Sequence, residues 1–198
     1  MEPLLAPGED PHMNACLNYG LDHWDLYAMG YRIAADVILD HVRETHADQD
    51  GLIFPFLFMW RHHLELTLKG IGRQAAQILG QDWTPPIKHD LTRLLDAVRG
   101  MVDACFADYS TKLPQVDATG MGDALAAIGR IDGKSMAFRY PEDRDGHPYL
   151  AEATHINFEV VSTHMTSIAD SLEFIQTVLD LIEEARADEA SAYGLPPA

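Results

Sequence analysis

FMWRHHLELTLKG, residues 58–70, decides how this chain folds. It lies in an apolar run, yet it carries Arg61, His62, His63, Glu65 and Lys69. On a helical wheel of about 100° per residue, Ile53, Phe56, Leu57, Trp60, Leu64, Leu68 and Ile71 share one broad arc. Arg61 and Glu65 lie at its edge, one turn apart, and His63 lies at the other edge. His62 and Lys69 fall on the far side with Phe58 and Leu66. A helix that is apolar nearly all round is covered on two sides or lines a dimer interface. A charge inside it has to be paired or functional, because a lone buried charge is costly. Two readings follow. Arg61 and Glu65 form a structural ion pair with the histidines as fillers, or they belong to a polar pocket where this helix faces its neighbours.

The flanking sequence supplies the helices that would cover it. Over 21–47, Trp24, Tyr27, Ala28, Tyr31, Ala34, Ala35, Ile38 and Val42 recur at helical spacing. ADQDG, 47–51, breaks the pattern. The central helix is predicted over 52–79, with Pro55 near its start, where a missing N–H is tolerated. GQDWTPP, 80–86, reads as a loop. A third helix over 87–106 carries the stripe Leu91, Leu94, Leu95, Val98, Met101, Val102. Residues 107–153 are rich in Gly, Pro and Asp and hold one short predicted helix, 121–131. A last long helix covers 155–187. Residues 1–20 read as a loose lead-in and 189–198 as a frayed tail. Repeats and runs of alternating strands are missing. The prediction is one all-α domain over 1–198. It is an up-down bundle of four to five helices with an irregular loop insertion before the last long helix.

Composition bounds the function. A chain of 198 residues with 47% hydrophobic residues can bury a sizeable core. The formal net charge is -17, from 14 basic and 31 acidic residues. That argues against non-specific affinity for nucleic acid and leaves room for a local basic pocket. Cys16 and Cys105 stand in no metal-like spacing and read as reduced thiols of a cytoplasmic protein. MEPLLAPGEDPHMN, 1–14, lacks the basic start and apolar core of a secretory signal. LIFPFLFMW stops at Arg61, short of the roughly 18 residues of a membrane span. The expected location is the cytoplasm, with no membrane partner.

Two segments could wall a pocket on the central helix. KHDL, 88–91, opens the third helix, with His89 or Asp90 as its cap. FRYPEDRDGH, 138–147, offers Arg139, Tyr140, Arg144 and His147 in a loop. RHHLELTLKGIGRQAAQILG, 61–80, followed by HDLTRLLDAV, 89–98, resembles the HEPN-like helical domains. The matching elements are Glu65 and Lys69 one turn apart, a loop, and His89-Asp90-Leu91 opening the next helix, within residues 52–100. The resemblance implies a helical bundle, a homodimer, and a role in a bacterial defence, stress or toxin–antitoxin system.

Many HEPN-like proteins are metal-independent ribonucleases with an Arg followed a few residues later by a His, near the start of a late helix. In such an enzyme the His moves protons and the Arg stabilises charge on the phosphate. This chain departs from that pattern. Seven residues separate Arg139 from His147, two separate Arg144 from His147, and the last helix has no Arg before Arg186. The expectation is therefore a non-catalytic dimeric module binding RNA, a nucleotide or a protein partner. Arg61, His62, Glu65, Lys69, His89, Asp90 and Tyr140 are its candidate binding residues. The alternative is a metal-independent endoribonuclease with Arg139 and His147 as catalytic residues. A second alternative is a metal-binding bundle built on His62 and Glu65, which lacks the second such motif that bundle sites use. Neither metal nor cofactor is expected.

Overall fold

Asp48 sets where the central helix begins. In the computed structural model, which describes residues 6–17, 23–86, 89–109, 129, 132 and 135–192, His46 and Asp48 take left-handed backbone angles, φ 52° and 65°. They fold residues 46–48 into a tight connection between α1 (His23–Thr45) and α2 (Gln49–Ile78). The Asp48 carbonyl accepts the N–H of Leu52, so α2 starts earlier than the apolar pattern alone indicates. Pro55 consequently stands inside the helix. It removes the bond to the Gly51 carbonyl, and Gly51 is exposed, so water reaches that oxygen.

α3 (Leu91–Tyr109) and α4 (Phe158–Ala192) complete the all-α bundle. Among the described residues there is no strand, only an isolated bridge between Glu142 and Pro148. Asp90 caps α3, its Oδ1 accepting the N–H groups of Thr92 and Arg93 at 3.1 Å. Asn157 does the same for α4, accepting from Val160 at 3.0 Å. Each helix therefore starts just after its cap. The 121–131 helix lies outside the described residues except for Gly129, which is helical.

α2 is the hub, packed against α1, α3 and α4. Phe56, Trp60, Leu64, Leu68 and Ile71 are fully buried there. Burial of side chains of this size is worth roughly 1.5–3 kcal/mol each. α1 runs antiparallel to α2: His63 meets the Ala28 carbonyl and Gly70 lies beside Asp25. α4 runs the same way as α2, with Phe56 against Phe158 at one end and Gln74 on Asp180 at the other. α3 also runs the same way, with His89 beside Glu65 and Cys105 beside the Ala75 carbonyl. The connection after α2 doubles back along the helix to allow this. Its Trp83 ring presses on Gly72, where a Cβ would come within 2.5 Å of it. Among the described residues no helix is long and apolar enough to cross a membrane.

Candidate functional site

Phe58, His62, Glu65 and Lys69 are spaced by four, three and four residues, so they form one stripe along α2. His89 meets the stripe at Glu65. Arg139 lies over the stripe at Phe58. The groups fall into a buried set and a rim.

Arg61 is fully buried and its guanidinium is used on three sides. Nη1 donates to Glu65 Oε2 at 2.6 Å. Nη2 donates to the His89 carbonyl. Nε lies 3.1 Å from Asp132 Oδ2, in an ion pair without hydrogen-bond geometry, and donates to the Asp132 carbonyl at 3.4 Å. Asp132 is held in turn: its Oδ1 accepts the N–H groups of Met136 and Ala137 at 2.6 and 2.8 Å. Arg61 thus ties α2 to the residue before the α3 cap and to Asp132, which holds the Met136 and Ala137 N–H groups. Such a pair offsets its desolvation only because nearly every polar atom finds a partner.

Glu65 is equally saturated. Its Oε1 accepts from Lys69 Nζ and from His89 Nδ1, both at 2.7 Å. Burial pushes its pKa up, but the donors Lys69, His89 and Arg61 outweigh burial and hold it at about 2. The carboxylate is therefore ionised at any ordinary pH. Two cations, Arg61 and Lys69, balance two anions, Glu65 and Asp132.

The rim is where a ligand could touch. The His89 side chain is 57% exposed and Lys69 19%. His62 is half-buried, stacked on Phe58 at 5.6 Å and meeting the edge of Tyr31 at 4.3 Å. Burial lowers its pKa; Glu65 opposes this, while Arg61, Lys69 and His89 add to it, so the ring is neutral at neutral pH. The Arg139 guanidinium lies 5.8 Å from the centroids of both the Phe58 and Tyr140 rings, and its Nε donates to the Ser135 carbonyl at 2.5 Å. Tyr140 is 50% exposed. Asp90 serves as the α3 cap described above.

His63 belongs to a different environment. It is buried, its Nδ1 donates to the Ala28 carbonyl at 2.9 Å, and burial lowers its pKa. It pins α1 to α2 as a neutral ring.

His147 sits on an exposed turn closed by Tyr149 N–H on the Pro141 carbonyl. Its Nδ1 is 3.4 Å from Asp143 Oδ2. No hydrogen bond or ion pair joins it to Arg139 among the described residues. Asp143, Asp145 and His147 each offer one donor atom within 4.8 Å of the others. Asp143 Oδ1 already accepts the N–H groups of Asp145 and His147, the latter bond being the main reason its pKa is lowered.

The chain matches no family model, no curated protein and no solved structure. The resemblance to HEPN-like domains rests on the sequence of residues 61–80 and 89–98 alone. Sequence reasoning missed Asp132, which stands 71 residues from Arg61 and carries no local signal. It also missed a polar cleft of about 380 Å³ between α1, α2 and α4, lined by Trp24, Asp25, Arg73, Gln74, Asp180 and Glu183 among others. Helical periodicity on each helix alone does not reveal a cleft shared by three.

Proposed function

We propose that the chain is a HEPN-like homodimeric module of a bacterial defence, stress or toxin-type system. It acts in the cytoplasm and binds RNA, a nucleotide or a protein partner without catalysis. One observation carries this reading: Arg61, Glu65 and Asp132 are buried beside the α2 stripe, while His62, Lys69, His89, Arg139 and Tyr140 reach the surface around it. Arg61 and Glu65 have no surface to offer a substrate. The rim combines a cationic group, imidazoles and an exposed aromatic ring, the groups that stack on unpaired bases and meet phosphates. Within a chain of net charge -17 that patch supports binding at one place rather than along a backbone. The dimer is supported by the outer face of α1, where Leu26, Met29, Ile33 and Val37 are all exposed at helical spacing.

The test is fluorescence anisotropy of a labelled single-stranded RNA with the purified protein, beside sedimentation equilibrium of wild type and Ile33→Asp. Saturable RNA binding by a dimer, with Ile33→Asp a folded monomer, is the expected result. Absence of RNA binding would end the RNA arm. A monomeric wild type would end the dimer.

A metal-independent endoribonuclease is the second reading. It is favoured by an exposed imidazole, His89, standing beside Lys69. RNA cleavage in the presence of EDTA, compared with Arg139→Ala/His147→Ala, distinguishes the two. Intact RNA supports the binding module. Cleavage lost in the double variant supports the nuclease and assigns those two residues.

A further inference from the structure

We infer that Glu65 holds His89 in the Nδ1–H tautomer, so that His89 Nε2 is a bare acceptor for a ligand hydroxyl, the 2′-hydroxyl of a ribonucleotide. This rests on the reading of the rim as a nucleotide or RNA site and names the feature of the ligand it reads.

The assignment follows from donor and acceptor counts. A carboxylate accepts only. Glu65 is buried among Arg61, Lys69 and His89, all of them donors to it, and stays ionised. His89 Nδ1, 2.7 Å from Glu65 Oε1, therefore carries the proton. In its neutral form the ring then has no second N–H, and Nε2 carries a free lone pair. The backbone anchors the ring as well, since the His89 carbonyl accepts from Arg61 and the next residue caps α3. More than half of the side chain is in solvent, so the lone pair is not consumed inside the fold.

The surroundings then select the ligand. The bare Nε2 calls for a hydrogen-bond donor from the partner, while Lys69 and Arg139 call for negative charge. A ribonucleotide unit presents both together: a hydroxyl donor beside a phosphate. DNA has the phosphate and lacks the hydroxyl, which is the difference that lets a protein tell the two apart. Glu65 is a positioning residue here, and His89 is the group that touches ligand.

The experiment has two parts, both on the full chain. Imidazole 15N NMR of the free protein is expected to show His89 with a protonated Nδ1 and an unprotonated Nε2. Glu65→Gln, which can no longer enforce an acceptor-only contact, is expected to populate both tautomers. Binding is then compared for matched single-stranded RNA and DNA with wild type and His89→Asn. The asparagine amide reproduces the Nδ1–H donor to Glu65 and has nothing at the Nε2 position. Wild type is expected to favour RNA by roughly threefold to tenfold, the worth of one hydrogen bond. His89→Asn is expected to lose that preference while its unfolding midpoint stays near wild type.

A protonated Nε2 in the wild type overturns the tautomer assignment. Equal binding of RNA and DNA by wild type, or an unchanged preference in His89→Asn, overturns the hydroxyl role while the site itself stands. Binding of neither oligonucleotide overturns the hydroxyl role together with the reading it rests on. If His89→Asn fails to fold, the wild-type tautomer and the wild-type RNA-to-DNA ratio decide.

Discussion

Replacing Glu65 by glutamine keeps the shape of the buried cluster and removes one charge. The wild-type carboxyl is held at about 2 against an ordinary 4.5. Each tenfold change in proton affinity is about 1.4 kcal/mol, so the ionised form contributes roughly 3 kcal/mol to folding. The sign is that of a depressed carboxylate. The contribution is complete above the unfolded-state value of 4.5 and is lost as pH falls from 4.5 towards 2. Glutamine has one acceptor oxygen where the carboxylate has two, so its amide NH2 must face Arg61 or the Lys69 and His89 pair. Glu65→Gln is therefore expected to be less stable by about 3 kcal/mol at neutral pH, within the range for breaking a buried ion pair. Urea unfolding followed by far-UV circular dichroism, run from neutral pH down to the lowest pH at which both proteins fold, measures the gap. The gap should hold steady above pH 5 and narrow by up to about 1.4 kcal/mol per pH unit below it. Other carboxylates titrate in both proteins and cancel. A gap that stays constant through the acid range would refute the reasoning, because Glu65 would then not be the titrating group.

Three further outcomes test the framework. Gly72→Ala places a Cβ 2.5 Å from the Trp83 ring, so thermal unfolding should show a loss of about 1–3 kcal/mol, with a shifted tryptophan emission. An unchanged protein would mean the returning connection is not pressed on α2. Asp90→Ala removes the acceptor for the Thr92 and Arg93 N–H groups and should cost about 1 kcal/mol in denaturant titration. Cys16 is exposed and Cys105 buried, so an aromatic disulfide reagent should titrate one thiol quickly in the native state and both after denaturation. Two fast native thiols would contradict the packing of α3 on α2.

The helices were legible because each repeats its apolar residues every three or four positions, and the stripe Phe58, His62, Glu65, Lys69 follows the same arithmetic. Their ends were less so, because an end is set by a single residue. Asp48 in a left-handed turn brings the start of α2 forward, and Asn157 delays that of α4. The direction of α3 was not legible. A connection of a dozen residues can cross over or fold back, and what decides is the contact of Trp83 with Gly72, which leaves no pattern along the chain. At the site, His89 was legible because KHDL, 88–91, opens the third helix where it could wall a pocket on the central one. The placement of Arg139 over Phe58 and of Asp132 beneath Arg61 comes from long-range packing. A lone Asp or Arg in a glycine-rich segment does not announce its partner.

The proposed binding surface is the rim around the α2 stripe, with the buried cluster as its support. The most direct measurement is the RNA affinity of Arg139→Ala/Tyr140→Ala relative to wild type, with both unfolding midpoints recorded. Both side chains are exposed, and among the described residues the Arg139 guanidinium meets only the Phe58 and Tyr140 rings, the Ser135 carbonyl and the Met136 sulfur. The affinity should fall by roughly tenfold or more, about one lost base stack or guanidinium contact, while the midpoint stays near wild type. An affinity equal to that of wild type would contradict this and move the binding surface away from α2.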